Sequence, residues 1–236
     1  MNDIPFVETT ISRRIFAIID VARERGENAA IVGEPGVGKT RALNEYTKRY
    51  KGTYFVTADA LSGNALRALL MNIFDLIGLH TYGNSITDIQ LTLKRYDFSG
   101  LCLIIDEAQN LKLQALREIL NINDHTGMSV VFCGNHDVLK RVNVETGPLA
   151  QISDRIGLRE EIQCIPSEDA DAITNTFGVE GLDAYQLARA VGLRYRARSL
   201  VRVLNSARSL AGEKSIKIGH IRQAIQLHPQ YAGALK

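Results

Sequence analysis

The chain has 236 residues, 45% hydrophobic and 23% charged, with a net charge of +2. These values fit a globular fold and exclude a disordered or collagen-like chain; no stretch approaches the ~18 uninterrupted apolar residues of a membrane span. The opening Met1–Glu8 has neither a basic start nor an apolar run, so no secretory signal is read there. The three cysteines, Cys102, Cys133 and Cys164, each lie in an apolar or alternating stretch and are expected as reduced, buried thiols of a cytoplasmic protein.

In chain order, Asn28–Val32 is a short apolar run suited to a buried strand. It leads into Gly33, Glu34, Pro35, Gly36, Val37, Gly38, Lys39 and Thr40, which fit the phosphate-cradling loop G-x-x-x-x-G-K-[ST]. The glycines let the backbone turn its N–H groups inward around an anion. Lys39 is expected to reach the outer phosphates of ATP, and the Thr40 hydroxyl to bind magnesium. Arg41 closes the candidate nucleotide-binding set. The helix that follows presents Leu43, Tyr46, Thr47 and Tyr50 on one face and stops at Gly52.

Thr53–Thr57 reads as a second strand, and about 64–77 as a helix ended by Gly78. A polar turn over 80–85 precedes another helix running to about Tyr96. Leu101–Ile105 is the continuous apolar run of a strand covered on both faces. It ends in Asp106 and Glu107. At the carboxyl end of a strand beside a phosphate loop, Asp106 can hold magnesium through water and Glu107 can orient and deprotonate an attacking water. That second carboxylate favours hydrolysis over transfer to a substrate hydroxyl. The pattern then predicts a helix over 112–121, a strand at Ser129–Cys133, and a fifth strand at Glu161–Ile165 ended by Pro166. At the tip of the fourth, Asn135 could hydrogen-bond the γ-phosphate and the water, although Gly134-Asn135 alone reads as a turn.

Five strands alternating with helices predict a three-layer αβα domain with a parallel sheet over residues 1–166. Past Pro166 the pattern is helical: a start at Ser167 with Glu168 and Asp169 in the first turn, then Leu182–Val191 closed by Gly192, Ala197–Ala211 closed by Gly212, and about His220–Leu227. This predicts a small helical domain over 167–236. From Arg189 onward there are ten basic residues and one acidic, Glu213. Such asymmetry suits an anionic partner or simply solvated helix faces. Arg194, Arg198 and Arg202 are spaced by four, where like charges repel on an isolated helix. An external anion, ATP or DNA, would relieve that repulsion.

The set formed by the loop at 33–40, Leu103-Ile-Ile-Asp-Glu-Ala-Gln-Asn-Leu111 and Cys133-Gly-Asn135, followed by a helical lid, resembles AAA+ ATPases. Asp106-Glu-Ala-Gln-Asn110 is similar to the form in the DNA-transposition ATPases related to the phage Mu B protein and TnsC. The resemblance implies sensor 1 at Asn135, a sensor 2 arginine at Arg198, and an arginine finger at Arg155, with Arg159 as the other candidate. A finger acts on a neighbouring subunit's nucleotide and is worth ~10³–10⁵ in rate; an ordinary surface arginine is the plainer reading. With about 27 residues before the first strand, the extra N-terminal DNA-binding domain of Mu B has no room here. DNA contacts would then fall to the core and lid, with Arg67, Lys94, Lys112 and Lys140 as candidates. The implied protein is a slow, DNA- or partner-stimulated ATPase that assembles with itself on double-stranded DNA as a ring or filament. It would deliver target DNA to a transposase and leave on hydrolysis, with no membrane involvement. A helicase loader, a protein-remodelling or secretion ATPase, and a nucleotide-gated module with negligible turnover are the other readings.

Overall fold

A computed structural model describes residues 5–58, 66–79, 85–93, 95–142 and 150–235. Strands β1 (Ala29–Gly33), β2 (Thr53–Thr57), β3 (Cys102–Asp106), β4 (Ser129–Gly134) and β5 (Leu158–Ile162) form one parallel sheet in the order β2-β3-β4-β1-β5. The central strands β1, β3 and β4 are buried at every position. Their apolar runs, interrupted only by Ser129 at the start of β4 and Asp106 at the end of β3, suit an inner strand of a parallel sheet, which meets packed side chains on both faces. Register pairs Ala29 with Val131, and Ile104 with Val131 from the other side. Glycine 33, Asp106 and Gly134 therefore all stand at carboxyl ends of strands.

The fifth strand begins three residues earlier than the sequence suggests. Leu158-Arg-Glu-Glu-Ile162 carries three charged residues, which an edge strand tolerates because half its surface meets water. Cys164 consequently falls beyond the strand and is exposed, contrary to the expectation of a buried thiol, while Cys102 and Cys133 are buried.

The chain divides into two compact units. One comprises 14–33 and 42–161 and contains the core built on the sheet, with Leu103, Ile105, Phe132, Ile119, Leu120 and Phe74 fully buried or nearly so. Each such side chain contributes about 1.5–3 kcal/mol of burial free energy. Its helices are the remainder of α1 (Thr10–Arg25) and α2 (Lys39–Arg49), then α3 (Leu66–Ile77), α4 (Ile86–Leu93), α5 (Leu113–Thr126), α6 (His136–Val142) and α7 (Ala150–Asp154). Helix α5 runs one turn further than its apolar pattern predicts and ends at Gly127, whose φ of 70° suits glycine. The predicted turn over 80–85 lies, except for Ser85, outside the described residues. In this unit Tyr46 of α2 packs edge-on against Phe16 of α1 and donates to Asp20 at 2.5 Å. Burial, and then the Asp20 carboxylate, push the phenol's proton affinity well above its ordinary value.

The other unit comprises 1–13, 34–41 and 162–236. Here α9 (Leu182–Ala211) packs on α8 (Ser167–Asn175) and α10 (Ile218–Leu227) through buried Ala184, Ala188, Leu200, Val203, Leu204 and Ile221. Helix α9 is two helices across a break. The break falls at Arg196 (φ 72°, ψ 174°) and not at Gly192, where the sequence places the stop. Gly192 keeps helical backbone angles, and a Cβ there would come within 2.9 Å of Ala170 Cβ, so this glycine serves close helix packing and does not end the helix. Asp169, read as a first-turn residue of its own helix, is buried and accepts the Thr10 and Ile11 N–H groups at 2.6 and 3.1 Å. It thus caps the start of α1 from 159 residues away along the chain. No helix among the described residues is long and apolar enough to cross a membrane.

Candidate functional site

Beyond the buried end of β1 the backbone turns through Gly36 (φ 88°) and Gly38 (φ 111°), conformations open to glycine and disfavoured for other residues. Helix α2 starts at Lys39, so the turn presents backbone N–H groups at a helix N-terminus, the arrangement that binds phosphate. Lys39 is nearly buried and folds back along the loop, its Nζ donating to the Glu34 carbonyl at 3.1 Å; Thr40 is exposed. The donors present, N–H groups, an ammonium and a hydroxyl, fit a nucleotide's phosphate chain. Arg41 reaches away from the turn to the Pro5 carbonyl at 3.0 Å.

The α9 break meets this same loop. The Arg198 N–H donates to the Gly36 carbonyl at 2.9 Å, and a Cβ on Gly36 would lie 3.2 Å from Arg198 Cβ. Arg196 pairs with Glu34 at 2.8 Å. The sequence-predicted sensor 2 position therefore sits against the phosphate loop. The supposed row of Arg194, Arg198 and Arg202 does not exist as one helical stripe, because the break at Arg196 separates Arg194, which lies over the Tyr195 ring, from the others. No sequence pattern marks Arg196 as a loop contact.

In the sheet-bearing unit, Asp106 ends β3 with its carboxylate buried, accepting the Glu107 N–H at 2.9 Å. Glu107 has a left-handed backbone (φ 55°, ψ 35°) and is exposed; it precedes a short 3₁₀ turn at Ala108–Asn110. Beyond β4, the Asn135 side-chain oxygen accepts the Asp137 N–H at 2.9 Å. Its amide end is left as the donor, which is what a phosphate oxygen requires. Gln109, which the sequence reading passed over, lies between these residues: its amide donates to the Glu107 carboxylate and its oxygen accepts the Asn135 N–H at 3.3 Å.

Arg155, the finger candidate, pairs with Asp124 at 3.1 Å and donates to Asn121 at 3.0 Å on its own protomer. Its carbonyl is held by Asn28, whose oxygen takes the Val130 N–H. Arg159 donates to the Ser153 carbonyl and hydroxyl. Of the DNA candidates, Arg67 and Lys112 are exposed, Lys140 is exposed and paired with Asp137 at 2.6 Å, and Lys94 lies outside the described residues.

A glycine turn with lysine and threonine at its end, opening a helix after an inner strand of a five-stranded parallel sheet, defines a P-loop nucleotide-binding domain of the AAA type. The family model described as "AAA domain" matches residues 22–142, just over half of the chain, and the protein belongs to that family. It is similar to the DNA transposition protein B of the Mu-like prophage FluMu of Haemophilus influenzae, 28% identical over 179 residues that cover 74% of this chain and 62% of that protein. It is also similar to the ATP-dependent target DNA activator B of Escherichia phage Mu, 27% identical over 232 residues covering 94% of this chain and 72% of that protein. The chain thus spans less than two thirds of the FluMu relative's length. Among solved structures, Aeropyrum pernix ORC2 in ADPNP and ADP complexes matches with a TM-score of 0.73 at 18% identity, over 96% of this chain and 69% of that one. Cdc6p of Pyrobaculum aerophilum matches at 0.69 and 16%, also over 96% and 69%. At these identities the two structures speak for the fold alone.

Proposed function

We propose that this protein is an ATP-dependent DNA-binding regulator of transposition: it assembles on duplex DNA with ATP bound, presents that DNA to a transposase, and disassembles after hydrolysis. The observation that carries this is the similarity across 94% of the chain to a relative named an ATP-dependent target DNA activator. The phosphate loop and the Asp106-Glu107 pair support the ATP part of it. Bound magnesium would supply charge neutralisation at the β- and γ-phosphates. In this reading the loop N–H groups of 33–40 and Lys39 hold the phosphates, and Thr40 and Asp106 hold the metal. Glu107 takes a proton from water, Asn135 orients the γ-phosphate, and Arg198 answers its charge from the lid. Arg155 acts on the neighbouring subunit. The basic tract after Arg189, together with Arg67, Lys94, Lys112 and Lys140, would supply sequence-independent backbone contacts. We also infer a domain boundary near Pro166 and a cytoplasmic setting.

The test is duplex-DNA binding with ATP, ADP and no nucleotide across a salt series, for wild type and Glu107→Gln. Binding should require ATP, fall steeply with salt and last longer in Glu107→Gln, whose turnover should drop about 10²–10⁴-fold. DNA affinity indifferent to nucleotide would sink the assembly model. Hydrolysis without any DNA binding would point to a protein-remodelling ATPase, and a requirement for a replicative helicase partner to a loader.

A further inference from the structure

Glutamate 107 is exposed and sits on a left-handed backbone residue, so nothing in its own position confines a side chain with three rotatable bonds. Gln109 confines it. The turn carrying Gln109 is fastened by the Asn110 N–H to the Glu107 carbonyl at 2.9 Å and the Leu111 N–H to the Ala108 carbonyl at 3.1 Å. The Asn110 side chain fastens it to the Ala58 carbonyl at 2.8 Å, and Ala108 and Leu111 are buried beneath it. From that anchored turn the Gln109 carboxamide spans from β3 to β4. Its polarity is fixed by its partners: the Asn135 N–H can meet only the amide oxygen, which leaves the NH₂ group to face the Glu107 carboxylate. Glycine 134 makes the room, since a Cβ there would run into Gln109 Oε1 and stand 2.8 Å from Val138 Cγ2.

We propose that Gln109 is the positioning residue that holds the Glu107 carboxylate in place for proton abstraction and ties it to the backbone of Asn135. The tie gives that carboxylate one address relative to the β4 tip, so a shift of Asn135 on meeting a phosphate is passed to Glu107 through a single side chain. A second carboxylate at 109 would repel Glu107, and a shorter amide would not bridge the strands; glutamine satisfies both ends. The inference rests on the hydrolytic role proposed above for Glu107.

The experiment is steady-state ATP hydrolysis with duplex DNA, beside binding of a fluorescent ATP analogue and urea unfolding, for Gln109→Ala, Gly134→Ala, the double variant and Glu107→Gln. Gln109→Ala should lower kcat about 10–100-fold, the usual loss when an outer-shell partner is removed. KM, analogue affinity and the urea midpoint should stay near wild type. Gly134→Ala should lower kcat by pushing the carboxamide aside, and in the Gln109→Ala background it should lower kcat little further, because the group it displaces is gone. Wild-type kcat in Gln109→Ala with Glu107→Gln inactive overturns the positioning role and leaves the hydrolytic reading standing. A kcat loss in Gln109→Ala matched by falls in analogue affinity and urea midpoint shows a structural role instead and also overturns it. Full turnover in Glu107→Gln overturns both readings.

Discussion

At the scale of single residues, environment decides reactivity more than residue type does, and the cysteines show it. Cys102 lies inside β3, where burial pushes its thiol up to about 11 although a bond with Ser129 partly offsets this. At pH 8 essentially none of it is thiolate, and the thiolate is the nucleophile. Cys133 is equally buried in β4, whereas Cys164 stands exposed after β5. A maleimide at pH 8 should therefore label one thiol per native chain, at Cys164, and three in urea, read by intact mass. Labelling of Cys102 or Cys133 at a comparable rate without denaturant would mean that the central strands open readily. Glu107 is the other residue defined by its surroundings. A left-handed non-glycine residue costs roughly 1–2 kcal/mol, and here the conformation turns the chain so that Gln109, two positions on, can face back to the Glu107 carboxylate.

Among the elements, α9 shows most clearly what local patterns reveal and what they hide. The phosphate loop and the strand ending in Asp106-Glu107 were legible because their chemistry is contiguous in sequence. Helix α1 carries no motif, although Ile11, Ile15, Ile19 and Ala22 recur at helical spacing and are all buried; its N-terminal cap, Asp169, is a long-range contact that no local pattern encodes. The edge strand β5 starts three residues before its apparent pattern because the charges of Arg159, Glu160 and Glu161 disguise the alternation. In α9, Gly192 looked like a stop, but stopping depends on backbone angles. Those depart from the helix at Arg196, in a region (φ 72°, ψ 174°) that is essentially glycine-only and costs about 1–3 kcal/mol elsewhere. The Arg196–Glu34 pair, with side chains 38% and 35% exposed, offsets at most about 1 kcal/mol of that. Arg196→Gly and Arg196→Ala both lose the pair, but only glycine removes the strain. The glycine variant should be the more stable of the two by about 1 kcal/mol after its own unfolded-state entropy is counted, as read from urea midpoints. Equal midpoints would mean that the break relaxes when the arginine is gone.

For the whole molecule, the question that separates an assembling ATPase from a self-contained one is where Arg155 acts. Within its protomer it pairs with Asp124, both side chains 39% exposed, a contact worth at most about 1 kcal/mol. An arginine finger that raises turnover ~10³-fold lowers the barrier by about 4 kcal/mol, so the internal pair is no obstacle to Arg155 leaving it for a neighbour's nucleotide. The test needs subunits that are each defective in a different half of the shared site. Arg155→Ala keeps its own Glu107 but lends no finger; Glu107→Gln lends a finger but cannot use one. In a head-to-tail assembly each active unit takes the hydrolytic half from one subunit and the finger from the next. Random mixing in equal amounts then makes about one junction in four of the productive kind, so turnover should recover to roughly a quarter of wild type although each variant alone is nearly inactive. Recovery must also depend on ATP and DNA, since without assembly no junction exists. If mixing restores nothing while Arg155→Ala alone lowers the urea midpoint, the Asp124–Arg155–Asn121 contact is structural and the finger must be sought elsewhere, first at Arg159.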